Sequence, residues 1–257
     1  MKFLLHAVAA TAVILSATAS MAAPRVLNTC ATITDPGAYV VGRNIAATGD
    51  CFVIAADFVN LDLDGFVITG NGSGSGVVEQ LAVGRKGVTV KNGVIAGFLR
   101  AVYMVNSVGA TVDGLTATGN MSNAITVGDN ASVTRNQVSS NAGTGLVLGF
   151  RSLASGNNVS DNTGTGIFAN NGANITGNTV GHNGGSGISV AEGAVISNNV
   201  SRNNTSYGIV ADCPSLVIAN TTTNNIGGNL QAIGGACDPN SQTCCVLGVN
   251  NMTLSSF

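Results

Sequence analysis

Three residues with acid–base chemistry recur at almost one interval: Asp161, His182 and Arg202. Each stands immediately before an asparagine (Asn162, Asn183, Asn203), and the first two are 21 residues apart. Brought to one edge, they would supply an acid to orient a base, an imidazole base and an anion clamp. Lys91, between Asp64 and Asp113, forms a second candidate set. A lysine flanked by carboxylates suits a lyase base with acidic partners. The plainer readings are a solvated bend for the first set and cross-strand ion pairing for the second. Calcium could be taken by Asp62, Asp64 and Asp113, because hard cations prefer carboxylate oxygens. The ammonium of Lys91 opposes that, and the sequence implies no other cofactor. Tyr103 and Phe168 are candidates for substrate binding, their rings offering an apolar face to a sugar or a protein partner.

These groups cooperate only if the chain gathers them, and a repeat does so. Gly145-Leu146 returns as Gly166-Ile167, Gly187-Ile188 and Gly208-Ile209, each 21 residues on. Asn120, Asn141, Asn162 and Asn183 keep the same step, as do Asn136, Asn157 and Asn178. Such self-similarity means a solenoid. Within one repeat, short apolar pieces alternate with polar residues at the strand period and are separated by Asn or Gly, which bend the chain. The fold is therefore expected to be all-β, a parallel β-helix with coils of about 21 residues.

Coils stack about 4.8 Å apart, so residues one repeat apart form columns. Expected inner columns are Val133, Ala154, Ile175, Val195, Val217; Val138, Val159, Val180, Val200; and Ile125, Leu146, Ile167, Ile188, Ile209, Leu230. The register is expected to slip by one residue near Asn198 and recover by Gly208. Asp161, His182 and Arg202 then share one bend, and Asp64, Lys91 and Asp113 one outer face. Tyr103, Thr126, Val147, Phe168, Ser189, Val210 and Gln231 form an outward strip.

Charged residues make up 9% of the chain, the net charge is −2, and no basic run occurs. That argues against a nucleic-acid partner, which demands clustered Lys and Arg. Residues 1–22 combine Lys2, an apolar run and small residues near Ala19 and Ala22, the pattern of a signal peptide. No later stretch could span a membrane. Residues 23–50 are read as an N-terminal cap, 51–233 as coils and 234–257 as a C-terminal cap, because open solenoid ends need covering. Residues 70–76 (G-N-G-S-G-S-G) are read as a flexible loop enlarging one coil. In an exported chain Cys30 and Cys51 are expected to form a disulfide. Among Cys213, Cys237, Cys244 and Cys245, Cys213 with Cys237 is the favoured pair, with the others open.

Residues 49–70 (G-D-C-F-V-I-A-A-D-F-V-N-L-D-L-D-G-F-V-I-T-G) and 88–98 (V-T-V-K-N-G-V-I-A-G-F) resemble secreted bacterial proteins with right-handed parallel β-helix repeats. Residues 30–45 look like the opening segment such proteins carry. This resemblance implies a right-handed coil and a loose relation to pectate lyases and other polysaccharide-acting β-helices. The catalytic patterns of that superfamily are unmatched: Gly181-His182-Asn183 and Cys237-Asp238-Pro239-Asn240 are similar only in part to a polygalacturonase Gly-His-Gly and an epimerase Asp-Pro-His-Asp. The expectation is an exported protein, secreted or periplasmic, that binds or processes polysaccharide as a lyase, hydrolase or epimerase would. The alternative is a structural or adhesive cell-envelope protein without catalysis.

Overall fold

The computed structural model describes residues 23–80, 83–233, 246–247 and 252–254; the expected signal peptide and Cys237, Cys244 and Cys245 lie outside them. Short parallel strands stack into a ten-stranded sheet, with one strand from each coil, and a nineteen-stranded sheet that generally takes two. The step of 21 is visible in the pairing of Val133 with Ala154, Ala154 with Ile175 and Ile175 with Ile196. A piece such as Asn174–Thr176 turns only Ile175 inward, so three-residue strands suffice for a narrow core. That core is a continuous run of buried side chains, mostly Val, Ile, Leu and Ala, with Phe52, Phe98 and Met104 in its N-terminal half.

Three bends per coil are made by the same device. One residue adopts left-handed backbone, as Ser140, Asp161, His182, Asn203 and Asn224 do at the third bend with φ of 55–58°. The residue that follows turns inward. At the second and third bends of the regular coils it is the ladder asparagine, buried in Asn136, Asn157, Asn178 and Asn199 and in Asn141, Asn162, Asn183 and Asn204. Asn157 shows how a buried amide is satisfied. Its Oδ1 accepts the backbone N–H and Nδ2 of Asn136, both at 2.9 Å. Its Nδ2 donates to the Val133 carbonyl and to Asn178 Oδ1, again at 2.9 Å.

These ladders decide the register, and the expected slip near Asn198 does not occur. Asn199 and Asn204 continue both ladders at a step of 21. Ile196, not Val195, therefore lies under Ile175, and Val195 is 38% exposed. Ser201, not Val200, lies under Val180. The Ser201 hydroxyl donates to the Gly208 carbonyl at 2.7 Å, which makes its burial tolerable.

The segment expected as an N-terminal cap itself carries four strands, Arg25–Leu27, Ala31–Ile33, Gly37–Val41 and Ile45–Ala46, already paired into the sheets. The Cys30–Cys51 disulfide is present and joins adjacent coils beside the Ala31–Phe52 pair. Cys213 is also disulfide-bonded, and its expected partner Cys237 lies outside the described residues. Residues 70–76 are tied down rather than free: Gly72 N–H donates to the Gly97 carbonyl at 2.6 Å and Ser75 N–H to Asp50 Oδ1 at 2.7 Å. Val246–Leu247 and Met252–Leu254 pair in parallel with the preceding coil, so the larger sheet continues into the tail. Among the described residues no helix is long and apolar enough to cross a membrane.

Candidate functional site

The third bend brings Asp161 and His182 to one column, because each holds the left-handed position of its coil. Below His182 the column holds Asn203, whose Nδ2 lies 3.1 Å from His182 Nε2. Arg202 is not in it. The unbroken register pairs Arg202 with Gly181, one position earlier. All four side chains stand on an exposed convex edge, so water reaches the imidazole freely.

The second candidate set is also redistributed. Lys91 pairs across the sheet with Asp62, not Asp64, and with Asp113 on its other side. Its Nζ lies 3.2 Å from Asp62 Oδ2. Asp62 further accepts the Asp64 backbone N–H at 2.9 Å and Asn92 Nδ2 at 3.2 Å. Partial burial alone would push the Asp62 carboxyl up. The Asp64 N–H, the Lys91 ammonium and the Asn92 amide together outweigh it and hold the group below the usual carboxylate range. Asp113 is bound by the Arg135 guanidinium and by the Thr134 hydroxyl at 2.7 Å. These charges are engaged with one another in the manner of a surface ion-pair network. Another acid, Glu79, is fully buried and accepts the Asn106 N–H at 2.7 Å and the Ser107 hydroxyl, which holds the bend at residues 104–107. Among the described residues no three of His, Cys, Asp and Glu converge as metal ligands.

The expected column keeps its register, but Thr126 and Val210, expected to face outward, are buried at 5% and 8%. Tyr103, Thr126, Val147, Phe168, Ser189, Val210 and Gln231 pair in unbroken register along the ten-stranded sheet. Val53 and Val78 extend it toward the N-terminus. Phe168 is 38% exposed. Tyr103 is half-buried, with the Arg100 guanidinium 4.3 Å from its ring centroid. The strip is a shallow, largely apolar track along the solenoid, with aromatic rings three coils apart.

A fourth feature lies at the first bend, where Phe150, Arg151, Asn171 and Glu192 surround a notch floored by Gly172 and Gly193. Sequence reasoning did not single these residues out. Their signal was the same 21-residue step, from Phe150 to Asn171 to Glu192 and from Arg151 to Gly172 to Gly193.

Comparison with known proteins bears on the fold. A search of curated proteins finds no match. The A-module of the mannuronan C-5 epimerase from Azotobacter vinelandii superposes with a TM-score of 0.59 at 15% identity, over 75% of this chain and 70% of that one. The Dettilon tailspike protein gives 0.59 at 15% identity, over 81% of this chain and 50% of that one. Tailspike protein 2 of an Escherichia coli bacteriophage gives 0.56 at 16%, over 79% and 37%. This chain thus spans half or less of the tailspikes, and at such identities the likeness is one of architecture. The family model described as right handed beta helix region matches residues 100–246. Parallel pairing, coils of 21 residues and that match over more than half of the sequence agree: the chain belongs to the right-handed β-helix family.

Proposed function

We propose that this protein is an exported glycan-binding β-helix protein that lays a polysaccharide along the outward strip of the ten-stranded sheet. The observation that carries this reading is the in-register column from Tyr103 to Gln231 with Phe168 standing exposed in it. The exposed Phe168 ring suits the apolar face of a sugar, and Tyr103, three coils away, would meet a more distant unit of the same polysaccharide. A structural neighbour named for an activity on mannuronan supports the ligand class. The Cys30–Cys51 disulfide supports an oxidising compartment, periplasmic or extracellular, as does the leader-like residue pattern of 1–22.

Processing is the second reading, favoured by the contact between His182 and Asn203 with Asp161 one coil away. His182 would act as general base, Asp161 as its electrostatic partner, and Arg202 from the neighbouring position would clamp an anionic substituent. Lys91, already paired with Asp62, would need release from that contact to act as a base. Calcium binding would recruit Asp62 and Asp113 in place of Lys91.

The test is retention of the exported chain on a panel of acidic and neutral polysaccharides, with and without calcium, with mass spectrometry of the supernatant. Retention without product, weakened about tenfold by Phe168→Ala, or about 1.4 kcal/mol, is the expected result. Product lost in His182→Ala would establish processing instead. Neither retention nor product would leave a structural envelope protein.

A further inference from the structure

We propose that the first bend carries a second saccharide site, a notch that takes a sugar ring bearing an anionic group, carboxylate or sulfate. The choice of a sugar rests on the glycan-binding reading above; the site itself stands apart from the strip on the ten-stranded sheet.

The notch follows from what the bend demands of the backbone. Its left-handed position is occupied by Asn130, Arg151, Gly172 and Gly193 in successive coils. The first two fill the surface with side chains. The two glycines add no side chains of their own: Arg151 reaches over Gly172, where a Cβ would meet its Cγ at 3.3 Å, while a Cβ added at Gly193 would meet nothing closer than 3.7 Å. Phe150 and Arg151 form one side and Pro214 the other of an open depression of about 340 Å³. That lies within the range of about 300–1,000 Å³ typical of small-molecule sites.

The lining is chemically uncommitted. Most charged side chains here serve the fold: Asp62 with Lys91, Asp113 with Arg135, Arg25 with Asp35. Asp50, Asp57 and Asp129 accept backbone N–H groups across bends. Asp129 does so with the N–H of Phe150 at 2.9 Å, which fixes the aromatic at the rim, 46% exposed. Arg151, by contrast, donates only through Nε, to Asn130 Oδ1 at 3.3 Å, leaving its terminal amines free among the described residues. The Glu192 carboxylate has no hydrogen-bond or ion-pair partner there either. Arg151 and Glu192 sit two coils apart, on the order of 10 Å along the stack of backbones, and form no ion pair with each other.

A ligand would complete this arrangement. The Phe150 face accepts the C–H face of a pyranose. The guanidinium fork of Arg151 matches the two oxygens of a carboxylate or sulfate. Asn171 and Glu192 are placed to hydrogen-bond hydroxyls farther along. Glu192 repels a second anion, so the acidic group is directed to the Arg151 end. The notch is open to solvent, and its assigned role is binding.

The experiment is isothermal titration with three oligosaccharides of equal length: an oligogalacturonate, a sulfated galactan fragment and a neutral galactan fragment. Wild type is compared with Arg151→Gln, Gly193→Asn and Phe168→Ala. Asn tolerates the left-handed backbone and would fill the notch, and Arg151→Gln changes an exposed side chain, so the test survives if one variant misfolds. The expected result is at least tenfold tighter binding of an anionic probe than of the neutral one, lost in Arg151→Gln and Gly193→Asn and kept in Phe168→Ala. Equal affinity for the neutral fragment, or an unchanged preference in Arg151→Gln, overturns the site. If glycans are still held in a Phe168-dependent manner, the glycan-binding reading stands without it. If wild type binds no saccharide, both fall. Preference for one anionic probe over the other names the acidic group.

Discussion

Each ladder asparagine serves several hydrogen bonds at once, so one substitution propagates. In Asn157→Ala the N–H and Nδ2 of Asn136, the Val133 carbonyl and Asn178 Oδ1 all lose a partner in the buried interior. With each orphaned group costing about 1–3 kcal/mol, the loss should be about 3 kcal/mol or more by urea unfolding. Asn158→Ala, at an exposed position next door, should change little. Asp62 carries a pH signature. Because its folded pKa lies below the unfolded value of about 3.9, its contribution to stability is present above that pH and is lost as pH falls through the folded value. Carboxyl NMR should show Asp62 titrating below an ordinary aspartate, and Lys91→Met should move it upward. The accompanying change in stability should stay under about 1 kcal/mol, since the pair is partly exposed.

Strands here are too short to hold a register by themselves. The ladders at the bends hold it, and the apolar pattern follows where it can. Neighbouring residues of one strand should therefore respond oppositely: Val195→Asp should leave the thermal midpoint within a few degrees, whereas Ile196→Asp should unfold the C-terminal coils. The reverse outcome would restore the slipped register. Close coil contact also excludes side chains. A Cβ on Gly166 would stand 2.6 Å from the Gly187 carbonyl oxygen, which explains the glycine at this position in four successive coils, Gly145, Gly166, Gly187 and Gly208. The Cys30–Cys51 bridge closes one whole coil at the N-terminal end. Its removal by Cys30→Ala/Cys51→Ala should cost about 3 kcal/mol on the loop-closure argument, read as a lowered urea midpoint.

Because each coil touches mainly its neighbours, stability should be nearly a sum over coils. Deleting residues 114–134 removes one repeat and joins Asp113 to Arg135, which occupy successive positions on the same path. That chain should fold, with β-rich circular dichroism and a modestly lowered thermal midpoint. Deleting residues 114–133 instead leaves one extra residue at the junction, which sets the downstream coils out of register with the preceding one, and should lower the thermal midpoint well below that of the whole-repeat deletion. The same one-dimensional order explains why the surface features of the described residues run as tracks and notches along the axis.

The architecture was legible because a solenoid writes its geometry as a period. The steps between Gly145, Gly166, Gly187 and Gly208, and between the asparagines, state the coil length, and alternation within each piece states which residue turns inward. The outward strip from Tyr103 to Gln231 could be read the same way. Where two patterns disagreed, near Asn198, the apolar residues Val195 and Val200 suggested a shift that Asn199 and Asn204 contradict. Counting hydrophobic residues alone could not weigh a valine's burial against a ladder of buried amides. The site residues were less legible for a related reason. Spacing places Asp161, His182 and Lys91 on an edge or a face, but a side chain's exposure and partner depend on atoms from other coils. Tertiary structure alone decided that Asp62 holds Lys91, that Arg202 leaves the His182 column, and that Arg151 and Glu192 form no ion pair among the described residues beside a notch lined by Gly172 and Gly193.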